Sequence, residues 1–159
     1  MVLRILHVLA GVFWVGAAVY LALVLEPKLR ALPTSIEHDV LQATSRLNSL
    51  WMTLSASITI IAGFVLISRT PGRSFDQLFT NGWGTAIGIG LVVSLLAFFL
   101  SGWVGASTAK LRRAFADVDD AEGKRNDLDS LRSRIAMGSR ANALLVIIAV
   151  GTMAAARFA

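Results

Sequence analysis

Apolar residues fall into four long runs, separated by short polar or charged stretches. Val2 to Leu25 is 24 residues long with Arg4 as its one formal charge. Leu47 to Ile67 (21 residues) and Trp83 to Ala109 (27 residues) carry no charge. Ala141 to Ala156 is 16 residues long and is bracketed by Arg140 and Arg157. A hydrocarbon core about 30 Å thick needs roughly 17–25 apolar residues in helix. The first three runs meet that length, and arginines snorkelling from both ends extend the fourth. A membrane strand alternates apolar and polar residues, whereas these runs are continuous. The pattern therefore predicts an all-α, up-and-down four-helix membrane bundle, one domain over 1–159, with spans near 2–25, 47–68, 83–109 and 138–157.

At one end the helical spacing continues past the apolar runs. Ile36, Val40, Leu41 and Leu47 recur at helical intervals after Pro33, Thr34 and Ser35, and Ser35 is the expected N-cap. Leu111, Phe115 and Val118 prolong the third helix, and Leu128, Leu131 and Ile135 lead into the fourth. Asp117, Asp119, Asp120, Glu122 and Gly123 predict the turn between them. Helical extensions over 35–46 and 110–137 should protrude from the bilayer by about two to four turns.

Composition agrees with a lipid setting. Apolar residues make up 55% of the chain and charged residues only 16%, against about 25% charged in soluble domains. Mean hydropathy is +0.68. Such a chain is not intrinsically disordered. With no cysteine it has no disulfide, thiolate metal site or cysteine nucleophile. The net charge of +5 is a matter of distribution. The side holding both termini and the loop 68–82 carries four basic residues, and the opposite side carries eleven. By the positive-inside rule the second side is cytoplasmic. The expected setting is a bacterial inner membrane, multi-pass, with both termini periplasmic. The partner implied is the lipid bilayer, not nucleic acid. A cleavable signal peptide is not expected, because the first run is too long and Glu26 and Lys28 follow it directly.

The candidate chemistry sits in the first span. His7, Gly11, Trp14 and Ala18 fall at i, i+4, i+7 and i+11 and share one helix face. A histidine one turn from a glycine offers a ligand nitrogen beside a gap, which could hold a porphyrin edge, a metal-bound ligand or another helix. Imidazole suits copper, zinc and haem iron. His7 lies only about 10 Å into the span at 1.5 Å per residue, so an interfacial structural role stands beside the ligand role. His38 lies across the bilayer from His7 and reads as a solvated helix start, with a metal site as the alternative. If haem binds His7, Met153 near the outer end of the fourth span is the candidate second ligand. Water, a backbone group or a second subunit are the others.

The remaining polar and aromatic positions are fewer. Trp83 fits an aromatic belt, and Tyr20 lies deep and calls for a hydrogen-bond partner. Glu26 has Lys28 and Arg30 within reach, and Arg46 and Asn48 are expected to meet Arg140 and Asn142 at the rim. Small residues mark helix contacts in membranes. Gly84 and Gly88, then Gly102 and Ala106, stand at i, i+4 in the third span and serve either the bundle or a homodimer. A phosphate loop, a Ser-His-acid arrangement and a deep carboxylate relay are all missing from the sequence.

The phrase LHVLAGVFWVGAAVYLALVLEPKLRALP, followed by RLNSLWMTLSASITIIAGFVLI (46–67) and NGWGTAIGIGLVVSLLAF (81–98), resembles the CopD-like superfamily of small bacterial membrane proteins. That group includes the membrane part of copper resistance protein D and the HemJ-type protoporphyrinogen oxidases. The resemblance implies a four-helix membrane bundle with His7 in the place of the first-helix histidine, which is tied to haem in HemJ-type members. Those members also carry a lysine a few residues after Gly-Trp. Here Gly82 and Trp83 are followed by Gly84, Thr85, Ala86, Ile87 and Gly88, with no lysine before Lys110, which disfavours protoporphyrinogen oxidation. A Met-rich or His-rich stretch that would suit copper transport is also missing. The leading expectation is a haem- or metal-binding membrane protein that acts in electron transfer or in haem or copper handling. His7 is its metal ligand, with Gly11, Trp14 and Met153 around it; haem b is the first cofactor and copper the alternative. The competing expectations are a cofactor-free structural or accessory subunit, in a homodimer or larger membrane complex, and a small transporter.

Overall fold

A computed structural model describes residues 1–116 and 122–159. The fold is an all-α bundle built on four helices long and apolar enough to cross a membrane. The first rod comprises α1 (Val2–Tyr20), a π turn (Leu21–Leu25) and α2 (Glu26–Arg30). It is followed by α3 (Thr34–Arg69), α4 (Gly82–Ala116) and α5 (Glu122–Ala155), which ends in a 3-10 turn over Ala156–Phe158. The main contacts run α1 to α3, α3 to α4, α4 to α5 and α5 back to α1. This is the ring of an up-and-down bundle, in which short connections place successive helices side by side.

The 36 residues of α3 span roughly 54 Å at 1.5 Å per residue, well beyond a hydrocarbon core. The excess carries its own packing at the arginine-rich end. There Leu111, Phe115, Leu128 and Ile135 are buried together, with Leu41 and Leu131 against them. Glu37, in the first turn of α3, is buried too and pairs with Arg132 of α5 through both carboxylate oxygens. Pro33, not Ser35, is the N-cap of α3, and no side chain caps it. The acidic turn and Val118 fall largely on 117–121, outside the described residues, while Glu122 and Gly123 already lie in α5.

The centre of the bundle is organised around one large side chain. Trp14 is 2% exposed and packs with Ala18, Ala56, Ala97 and Val146. An indole fits between four helices because the facing positions are mostly alanine, which leaves the volume it needs. The π turn has a local cause as well. Pro27 lacks an N–H, and its ring would clash with the carbonyl four residues back, that of Leu23. The wider turn, in which the Glu26 N–H reaches the Leu21 carbonyl, relieves that conflict.

At the terminal end, Thr70–Pro71–Gly72–Arg73 closes as a turn with Gly72 at φ 73° and the Arg73 N–H on the Thr70 carbonyl at 3.1 Å. Proline then glycine at the two central positions suits a turn that needs positive φ at the second. The chain folds back over the start of α4. Asn81 Oδ1 accepts the Gly84 N–H at 2.7 Å and caps the helix. A Cβ at Gly84 would overlap the Gln77 carbonyl, and one at Gly88 would overlap the Phe79 ring. These two glycines therefore seat the loop, whereas the sequence pattern pointed to a helix–helix contact. Gly102 has nothing within 4 Å of its would-be Cβ.

Candidate functional site

His7 is turned towards α3. Its Nδ1 lies 2.7 Å from the Thr59 carbonyl oxygen. A carbonyl only accepts, so Nδ1 carries the hydrogen and Nε2 of the neutral ring keeps the lone pair. Gly63 allows this approach, since a Cβ there would lie 3.0 Å from His7 Cε1. The ring is half-buried. A Nδ1–H bonded to a backbone carbonyl, with Nε2 left over, is the orientation second-shell contacts impose on ligand histidines.

The other predicted site residues have different neighbours. Gly11 shares the His7 face, and the gap beside it is filled by the Thr59 methyl, 3.4 Å from a would-be Gly11 Cβ. Trp14 is enclosed in the bundle centre, and its Nε1 is buried without a hydrogen-bond partner among the described residues. Met153 packs on Gly90 of α4, where a Cβ would come within 2.8 Å of its Cγ. His7 and Met153 thus make these contacts with different helices. Among the described residues, no three His, Asp or Glu side chains gather as a metal cage. His38 is half-buried, and its ring lies 5.7 Å from that of Phe115, so it is not a simple solvated helix start. Tyr20 is 54% exposed on the outer surface of the bundle.

The sequence did not reveal a cavity of about 160 Å³ in the arginine-rich half of the bundle. Residues of all four rods line it, among them Ala18, Leu21, Glu37 and Arg132. Three buried oxygens without a hydrogen-bond partner among the described residues line it: Glu26 Oε1, Ser101 Oγ and Asn142 Oδ1. Glu26 stands 3.7 Å from Arg30, an ion pair but beyond hydrogen-bonding range. Asn48 and Asn142 both line this cavity, while Arg46 lines an adjoining hollow with Arg112 that shares Ser45, Ser49 and Gly105 with it. The polar lining comes from scattered single hydroxyls and amides on α3, α4 and α5. Each looks incidental in its own run, and only the helix rotations bring them together. Ala18 and Met52 belong both to this lining and to the Trp14 cluster. Neither this cavity nor the hollow holding Arg46 includes His7, Gly11 or Met153.

Comparison with family models, curated proteins and solved structures returned no match. The fold and the two polar regions stand on the geometry alone.

Proposed function

We propose that this is a multi-pass protein of a bacterial inner membrane, CopD-like in type, that uses His7 Nε2 as a ligand nitrogen for haem b or copper. The observation that carries the reading is the His7 Nδ1 hydrogen bond to the Thr59 carbonyl. It holds the imidazole in one tautomer and one orientation and leaves Nε2 as a base. The residues fit a single ligand nitrogen at a half-buried position. They do not form an enclosed porphyrin pocket within one chain, because Thr59 fills the gap at Gly11 and Trp14 is sealed in the core. A second ligand comes from Met153, water, a backbone group or a second subunit. Bound haem or copper supplies one-electron chemistry, which places the protein in electron transfer or in haem or copper handling. The eleven basic residues on one side support a cytoplasmic setting for that side, with His7 in the periplasmic half.

An absorption spectrum and elemental analysis of the detergent-purified protein test this. His7→Asn is the informative variant, because its amide can still donate to the Thr59 carbonyl while the Nε2 position is gone. A Soret band or bound copper in the native protein, lost in His7→Asn with helix content unchanged, is the expected result. Native protein without iron, copper or a Soret band removes the reading.

A second reading is a cofactor-free structural or accessory subunit. It is favoured by the close seating of the His7 ring on Gly63, which makes the histidine an interhelical fastener. On that reading His7→Asn assembles and functions like the native protein, and His7→Ala loses stability.

A further inference from the structure

Five of the described arginines have an evident partner. Arg30 pairs with Glu26, and Arg132 with Glu37 and Asp129. Arg73 lies over Trp83, Arg134 over Trp103 and Arg157 over Phe158. Arg46 and Arg112 differ. Both line a hollow of about 180 Å³ between α3 and α4, together with Ser45, Ser49, Gly105 and Ala109. Arg112 Nη1 donates to Ser45 Oγ at 3.3 Å. Among the described residues, no carboxylate lines the hollow. Gly105 keeps its floor open, since a Cβ there would come within 3.2 Å of Ser49 Oγ.

The position of the hollow narrows its occupant. Ala109 is the last residue of one uncharged run, and Leu47 is the first of another. The hollow therefore lies where hydrocarbon gives way to headgroups. On α3 beside it, Leu47 and Leu50 are 57% and 62% exposed, an apolar track leading into the bilayer. Two guanidiniums and two hydroxyls offer many hydrogen-bond donors in forks that suit phosphate oxygens. Among the described lining residues there is no anion to meet the ammonium of a zwitterionic headgroup, which favours an anionic one.

We propose that this hollow binds the phosphate of an anionic phospholipid of the phosphatidylglycerol kind, with the acyl chains lying along Leu47 and Leu50. Basic pockets between membrane helices at the headgroup level are suited to such lipids. Arg46 and Arg112 hold the phosphate, the serine hydroxyls complete its shell, and Gly105 admits it between the helices.

Native mass spectrometry of the full chain in detergent tests this. The protein is titrated with phosphatidylglycerol, with phosphatidylcholine of the same acyl chains, and with glycerol phosphate. The expected result is one retained phosphatidylglycerol adduct, formed at lower concentration than the phosphatidylcholine adduct, and none with glycerol phosphate at equal concentration. R46Q/R112Q lowers phosphatidylglycerol binding about tenfold or more. Gly105→Leu, which fills the hollow without changing charge, lowers it too. K110Q/R113Q removes two exposed cations outside the lining and leaves the preference intact. Circular dichroism and size-exclusion profiles confirm that each variant is folded; should R46Q/R112Q misfold, Gly105→Leu decides. Equal binding of the two lipids overturns the proposal. Equal loss in K110Q/R113Q shows diffuse surface charge instead, and glycerol phosphate bound as tightly as the lipid shows a free-anion site.

Discussion

Arg132→Met breaks the ion pair that ties the start of α3 to α5. The Glu37 side chain is 4% exposed and that of Arg132 18%. The guanidinium donates from Nε to Oε1 at 3.2 Å and from Nη2 to Oε2, with Nη1 on Asp129 at 2.9 Å. Methionine keeps much of the apolar packing against Phe115, whose ring lies 5.2 Å from the guanidinium carbon. It leaves the Glu37 carboxylate buried without either of its two donors. Breaking a buried pair from one side costs about 3–5 kcal/mol. Arg132 keeps some solvent exposure, so the lower end, about 3 kcal/mol, applies. For a chain of this size each kcal/mol moves Tm by about 2–4 °C, so Arg132→Met should melt about 6–12 °C lower. Thermal unfolding in detergent, followed by tryptophan fluorescence and circular dichroism, measures it. The double variant E37M/R132M should recover most of the loss, because apolar groups of similar volume replace a buried pair at little cost. Arg132→Lys should fall between, since an ammonium cannot supply the two-pronged contact. A Tm for Arg132→Met within about 1 °C of native, or a double variant as unstable as the sum of its singles, would refute the buried-pair argument.

Four other outcomes follow from the geometry. Gly63→Val should push His7 off the Thr59 carbonyl at a cost of about 1–3 kcal/mol, read as a lower Tm; an unchanged Tm would mean that the ring docks elsewhere. Asn142→Leu removes an unpartnered buried oxygen and should leave stability unchanged or raise it by about 1 kcal/mol. A clear drop would instead reveal an ordered hydrogen-bond network in the cavity. Gly84→Ala should displace the Phe75–Phe79 segment and speed tryptic cleavage after Arg73, and equal cleavage rates would contradict the close approach of Gln77. Because the chain has no cysteine, single cysteines introduced at Ser130 and Ala159 can be labelled without background. They should react with an impermeant reagent from opposite faces of the membrane, Ala159 from outside, and labelling of both from one face would overturn the topology.

The four spans and their extensions were legible in the chain because partition into lipid is a local property. A run such as Leu47–Ile67 crosses whatever its neighbours are, and Leu128, Leu131 and Ile135 keep helical spacing whether or not a partner is known. The contacts of the polar and small residues were not legible. Glu37 stands beside His38 in a segment that reads as a solvated helix start, yet it is 3% exposed, because Arg132, 95 positions later in the chain, comes round to it. Gly84 and Gly88 read as a helix-packing pair and instead make room for a loop. His7 and Gly11 were correctly placed on one face, but only the rotation of α1 against α3 set Thr59 and Gly63 opposite them. The sequence by itself determined which segments enter the membrane, since hydropathy acts residue by residue. The tertiary structure decided what each polar group meets, because that depends on helix rotation and register, which no single segment encodes.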